Sequence, residues 1–337
     1  MGNPEKKHQH YVPKFVLKNW ATNKRVWVLN KYNGKIEERN FEDICFENYL
    51  YEVKDLSGGY ITNNDFENGF MEYEDKMAPY FRTLIKKFDD DMTYRLTNED
   101  CEKLLEFLWS MLTRHPRSLE YFENYSLDML NDIDGKKINE IINSFDTLKE
   151  ERGKAIQKLY ALKLITPLNN KPGLLAESFL NKHKDGYCYI LKSINNIFFA
   201  SDEFCWSILL KDYGQVNYLP LSPTYCFIQC EKPIKGFDEN GINEIDEIDE
   251  IGKDTYYTIF FIKSGRCNFI ISDSKEKIEN FKIDIDLKEL FITTAKELGF
   301  DIEKATFEEI SEFTQRLCGN KDFKKKARNI YLKNKSD

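Results

Sequence analysis

The chain has 337 residues, 41% of them hydrophobic and 31% charged, so it can bury a sizeable core and is neither collagen-like nor disordered overall. Its net charge is −8, from 49 basic against 57 acidic residues, and nucleic acid can be attracted only by a local basic patch. No stretch approaches the roughly 18 uninterrupted apolar residues of a spanning helix. The opening Met-Gly-Asn-Pro-Glu-Lys-Lys has no apolar stretch of the secretory kind, nor the hydroxyl residue that myristoylation wants at position 6. A cytoplasmic protein without a membrane partner is expected. The eight cysteines form no C-x-x-C, which argues against a zinc ribbon and for buried free thiols.

In chain order, Arg25–Asn30 reads as a strand, Asn33-Gly34 as a hairpin turn, and Lys35–Glu38 as the start of the partner strand. Tyr49–Val53 reads as another strand. The period then changes: Phe66, Phe70, Tyr73, Met77, Phe81, Leu84 and Phe88 recur at helical spacing. This predicts an amphipathic helix from about Asn64, kinked or divided at Pro79. Thr97 with Asp100 three residues on predicts the capped start of a second helix, which Pro116 ends near Arg114. More helix is expected around 118–132 and 137–165.

From Tyr187 the period returns to two, with strands expected at Tyr187–Ser193, Asn196–Ala200, Thr224–Cys230, Tyr256–Lys263 and Cys267–Ser272. Residues 243–250 are an acidic repeat read as a solvated loop. Asp284 onward is helical, ending in the basic tail Lys321–Lys335. Strands and helices segregate along the chain, which argues an α+β fold: a central helical block (about 64–165) on a mainly antiparallel sheet (about 187–272). One composite domain is expected over 1–283, with a C-terminal helical extension over 284–337.

No P-loop, dinucleotide-binding glycine motif, H-E-x-x-H or G-x-S-x-G is present. Four weaker constellations remain. His8-Gln9-His10-Tyr11-Val12-Pro13 puts both imidazoles on one face of an extended segment, fit for a metal or a general base, or simply carried into the core by the apolar residues after it. Arg114-His115-Pro116-Arg117 offers two guanidiniums for a phosphate or carboxylate, although cations also suit a helix C-terminus. Phe199-Ala200-Ser201-Asp202 delivers a carboxylate at a strand end, or begins a turn. Pro220-Leu221-Ser222-Pro223 reads as a rigid turn before a strand.

Together, in this order, these segments resemble a bacterial and prophage-associated family of domains of unknown function, the one numbered four-two-three-eight. Its pattern is H-H-Y-V-P with L-x-N-F, then R-x-P-x-R, then T-S-D-N-P, then P-L-S-P. The matches are His10-Tyr11-Val12-Pro13 with Leu17-Lys18-Asn19-Trp20, then Arg114 to Arg117, Ser201-Asp202, and Pro220 to Pro223. Ala200 replaces the motif threonine, Glu203-Phe204 replace Asn-Pro, and Gln9 stands where a histidine is common. The resemblance implies one domain holding all four segments and assigns no activity.

The leading functional expectation is a phosphate-ester hydrolase of nuclease or nucleotide phosphodiesterase type, with a place in phage or plasmid conflict. His10 would be the general base or acid, Asp202 its orienter or a metal ligand, and Arg114 with Arg117 the phosphoryl clamp. Tyr11, Ser201 and Ser222 would contact substrate, and Mg²⁺ would suit the carboxylate. Nucleic acid or a nucleotide, or a partner protein, is the expected partner. The alternative is a non-enzymatic binding or sensor module of a defence or prophage operon, in which His10, Arg114 and Asp202 form a structural network. Convergence of the four groups on an open pocket favours the enzyme, and convergence in a sealed interior favours the module.

Overall fold

The computed structural model describes residues 5–54, 58–123, 154–167, 176–210, 213–245, 267–279, 295–300, 326 and 329–330. The strand expected at Tyr256–Lys263 lies outside them. So do residues 124–153 of the helices expected around 118–132 and 137–165, most of the acidic repeat, and the basic tail apart from 326 and 329–330. The chain divides into two compact units, Met1–Ser274 and Lys275–Asp337. No described helix is long and apolar enough to cross a membrane.

The first unit opens with β1 (His8–His10), the short helix α1 (Lys14–Leu17), β2 (Arg25–Asn30), β3 (Lys35–Asn40) and β4 (Phe46–Asn48). The helical block follows as α2 (Asp65–Asp90), α3 (Asn98–Arg114), α4 (Pro116–Glu123), α5 (Lys154–Ile165) and α6 (Ala176–His183). The second β region is β5 (Tyr187–Ser193), β6 (Ala200–Ser201), β7 (Trp206–Leu210), β8 (Gly214–Pro220), β9 (Tyr225–Cys230), β10 (Ile242–Ile245) and β11 (Phe269–Ser272).

This is the α+β architecture with mainly antiparallel pairing. The described strands, however, form three sheets. A five-stranded sheet runs β10-β5-β9-β8-β7, a four-stranded one β3-β2-β11-β6, and β1 pairs β4. Among the described strands only β10 with β5 is a parallel pair. The β2–β3 hairpin turns at Asn33-Gly34, where Gly34 has φ 65° and no Cβ to resist it. Tyr49–Val53 is not a strand. Tyr49 itself takes a left-handed φ of 57°, which turns the chain straight after β4, and Leu50, Tyr51, Glu52 and Val53 are all buried in the irregular segment that follows. The strand expected at Asn196–Ala200 is only its last residue plus Ser201, because Asn196 is left-handed (φ 54°) and breaks the extension.

Pro79 does not divide α2, which runs as one helix from Asp65 to Asp90. The proline lies on the exposed face, as does Asp75, whose carbonyl loses its i+4 donor there; water can satisfy that oxygen. The start of α3 is as the spacing predicts. The Thr97 hydroxyl accepts from the Asp100 amide at 3.1 Å, and Asp100 accepts from the Thr97 amide at 3.0 Å. Its end is also as expected: His115 is extended (ψ 141°), as a residue before proline prefers, and Pro116 starts α4.

One apolar cluster joins the N-terminal segment (Tyr11, Val12, Val16, Leu17, Trp20) to α2, α3 and the five-stranded sheet. Val16, Leu17 and Trp20 are fully buried, and each such side chain contributes roughly 1.5–3 kcal/mol. The segment is therefore docked, His10 buried with it, while His8 stays exposed against the Phe46 ring at 4.3 Å.

Candidate functional site

The N-terminal motif is held from both sides. Gln9 is fully buried and donates to Glu52 Oε1 at 2.9 Å while accepting from the Tyr51 amide at 2.7 Å. Glu52 also accepts from Thr62 and from the Asn64 amide. Gln9 thus serves as a donor–acceptor bridge. The His10 ring lies against a carbonyl: its Nε2 is 3.0 Å from the Glu42 oxygen, so Nε2 carries the proton. Burial lowers its pKa to about 4, against the pull of that carbonyl.

Arg114 is 1% exposed and is a strut. Its guanidinium donates to Glu74 at 2.7 Å, to the Tyr51 hydroxyl and to the main-chain oxygen of His10, and it sits 4.4 Å over the Phe70 ring. Tyr51 in turn donates to the Arg114 carbonyl at 3.1 Å, which ties the end of α3 to the segment after β4. Two turns before Glu74 on α2 is Glu67, buried, with its Oε2 lacking a hydrogen-bond partner among the described residues. Burial pushes Glu67 up to about 7, with Arg114 opposing and Glu74 reinforcing the shift.

Asp202 is equally enclosed. Both carboxylate oxygens accept from the Asn268 amide at 2.9 Å, and Oδ1 accepts from Phe269 at 3.1 Å. It fastens β6 to the start of β11. Burial raises its pKa, and these amides oppose that rise. Ser201 donates to the Glu203 carbonyl at 2.6 Å, so neither residue faces open space. Replacing Asp202 by Ala should lower stability by about 3 kcal/mol, the scale of losing bonds to a charged acceptor and stranding buried amides. Urea unfolding checks this, and a loss under 1 kcal/mol would contradict the fastening role.

Ser222 lies elsewhere. Its hydroxyl accepts from the Thr224 and Tyr225 amides at 3.2 and 3.0 Å, closing the turn before β9 at a polar cavity of about 350 Å³. Asn19 donates to the Leu221 carbonyl at 2.7 Å, which joins the L-K-N-W and P-L-S-P segments.

Open space occurs beside the other half of the arginine motif. A cleft of about 520 Å³ lies between the α3–α4 corner and residues 203–205, with Trp109, His115, Arg117, Tyr121, Phe122 and Glu203 among its walls. Arg117 is half-exposed and pairs with Glu203 at 3.6 Å. His115 Nδ1 accepts from the Arg117 amide at 3.2 Å, leaving its proton on Nε2. Burial, then the Arg117 charge, lowers the His115 pKa to about 4. Tyr11 packs edge-on against this ring at 5.2 Å.

The structure therefore brings His10 and Arg114 together through the His10 main chain, and sets Arg117 apart from them on the cleft. The expected two-guanidinium clamp does not form, because Pro116 starts a new helix and sends the two side chains to different partners, Glu74 and Glu203. Sequence reasoning missed His115 and Glu203 as cleft residues. The signal was there: a cation after one element end and an anion after another, of opposite charge and in adjoining motifs. Among the described residues no group of three or more His, Cys, Asp or Glu is placed to hold a metal ion, and the oxygens of Asp202 proposed for Mg²⁺ are engaged by main-chain amides.

The fold and the motif positions place the chain in an α+β class built around a docked N-terminal segment. A family model described as "Protein of unknown function (DUF4238)" matches residues 8–276, and the chain belongs to that family. No curated protein and no solved structure matches it.

Proposed function

We propose that the chain is a ligand-binding module whose site is the cleft at the α3–α4 corner, and that its ligand combines an anionic group with a flat ring, as a nucleotide or the end of a nucleic acid does. The observation that carries this reading is the position of Arg117: a half-exposed guanidinium on the wall of a roughly 520 Å³ cleft that also has Trp109, Tyr121 and Phe122 in its lining. Clefts of about 300–1,000 Å³ with apolar and aromatic walls and few polar groups are the usual form of small-molecule sites. Arg117 can take a phosphate in fork geometry, and the rings offer stacking faces that tolerate any base.

The hydrolase reading asks for a general base and a carboxylate that face a substrate. The His10 ring is turned to Glu42, Asp202 to main-chain amides, and His115 spends its lone pair on the Arg117 amide. These placements favour binding over catalysis.

Glu203 competes with the ligand for Arg117, so the two substitutions have opposite signs. In calorimetric titrations of the full chain with nucleoside mono- and triphosphates and short single strands, Arg117→Ala should weaken binding by about 10-fold or more, the worth of one charge-assisted bond. Glu203→Gln should tighten it. The ligand should be recovered intact. Absence of saturable binding to every one of these probes, or equal affinity in Arg117→Ala, would overturn the proposal, and turnover of the probe would move the protein to the hydrolase class.

A further inference from the structure

A separate cavity of about 360 Å³ lies among the segment after β4, Tyr60, the end of α4 and the first turns of α5. Tyr49, Lys54, Tyr60, Glu123 and Lys158 give its walls their chemistry. The local structure fixes these groups. Lys54 and Tyr60 face each other in an isolated antiparallel bridge, and Lys54 Nζ lies 4.8 Å from the centre of the Tyr60 ring. The left-handed backbone of Tyr49 sets its ring 4.8 Å from that of Tyr60. Ala155 and Lys158, three residues apart on α5, share one helix face, and both line the cavity.

Lys158 is the reactive group there. It is partly buried, and it has neither a hydrogen bond nor an ion pair among the described residues. Glu52, also on the cavity wall, spends its oxygens on Gln9, Thr62 and the Asn64 amide instead. An amine drawn out of water without a close counter-ion favours its neutral form, and the neutral amine is the nucleophile. Burial lowers the Lys158 pKa and the Lys54 charge adds to this, against the pull of Glu123, Glu47 and Glu52.

We propose that this cavity is a carbonyl-binding site in which the Lys158 amine forms a reversible imine with a small aldehyde that carries a flat ring. The inference is independent of the cleft at Arg117. The cavity is at the small end of the range for ligand sites, about 300–1,000 Å³, and the Tyr49 and Tyr60 rings give a flat group faces to stack on. In the first step the Lys158 nitrogen attacks the carbonyl carbon. A carbon–nitrogen bond forms, the carbonyl π pair moves to oxygen, and a proton passes from nitrogen to that oxygen. In the second step the carbon–oxygen bond breaks and water leaves, carrying off a second proton that comes in the end from the same nitrogen. No electrons are gained or lost overall, and hydrolysis returns amine and aldehyde. Glu123 is the carboxylate on the wall that can pass the proton between nitrogen and oxygen.

The test incubates the full chain with substoichiometric pyridoxal at pH 7, reduces with sodium borohydride, and maps the labelled peptides. Lys158 should be the principal labelled lysine, and its label should persist to lower pH than that of exposed lysines. Concentrated urea should abolish the preference, because it removes the cavity. Lys158→Arg should lose this adduct and leave the rest of the map unchanged. Butanal, which has no ring, should show a weaker preference for Lys158 over the other lysines than pyridoxal does. Label spread evenly over exposed lysines, an unlabelled Lys158, a preference that survives urea, or equal preference with the two aldehydes would each overturn the proposal. The wild-type map decides among these outcomes even where the variant fails to fold.

Discussion

Arg114→Met should lower the stability of the protein by about 3–5 kcal/mol, the scale of breaking a buried ion pair from one side. The long apolar side chain of methionine fills most of the vacated volume, so the loss reports charge and hydrogen bonding more than a cavity. Glu74 then keeps a carboxylate with 19% side-chain exposure and no cation against it. The His10 carbonyl and the Tyr51 hydroxyl each lose the donor that Arg114 supplied. Adding Glu74→Gln should recover part of the loss, because the stranded charge goes with it, and the double variant should be more stable than Arg114→Met alone. Urea unfolding of the wild type, both single variants and the double variant at pH 7 provides the cycle. If Arg114→Met unfolds at the wild-type midpoint, Arg114 is no strut. The assignment of the motif's first arginine to architecture and its second to ligand then fails.

That division of labour shows where sequence reading succeeds and stops. The helix α3 was legible at both ends because its determinants are local: Thr97 and Asp100 close a capping box within one turn, and Pro116 fixes the backbone of His115. The docking of residues 10–20 was legible from the density of Phe15, Val16, Leu17 and Trp20, which have nowhere else to go. Tyr49–Val53 was misread because a short aromatic and β-branched run says only that its side chains want burial, and a packed turn beginning at a left-handed Tyr49 buries Leu50 to Val53 without pairing them in a sheet. The site was half legible. Spacing named Arg114 and Arg117 but could not tell which would be buried, since that depends on Glu74, forty residues earlier, and Glu203, beyond the helical block.

Stability should be greatest near pH 6.5 and should fall on both sides for different residues. His10 and His115 are each lowered from 6.5 to about 4, chiefly by burial. As pH falls through 6.5 the unfolded chain takes up both protons while the folded chain does not, so each histidine withdraws roughly 1.4 kcal/mol per pH unit until the folded pKa is reached. Glu67 acts in the opposite sense. Burial raises it from 4.5 to about 7, so the folded carboxyl keeps its proton while the unfolded one has lost it. Stability from this group is present below pH 4.5 and is lost as pH rises through 7, by about 3 kcal/mol in all. Between pH 4.5 and 6.5 two histidines outweigh one glutamate and stability climbs with pH; above 6.5 only Glu67 of these three still changes, and stability declines. Glu67→Gln isolates that term, because glutamine resembles the protonated acid and does not titrate. The variant should match the wild type near pH 4.5 and exceed it by about 3 kcal/mol at pH 8, measured by urea unfolding across that range. A difference that does not vary with pH would show that Glu67 is ionised in the fold throughout. The Arg114 charge is one of the influences holding the Glu67 pKa down. In an Arg114→Met background the decline should therefore extend to higher pH, which ties the strut and the titrating carboxyl to one buried cluster.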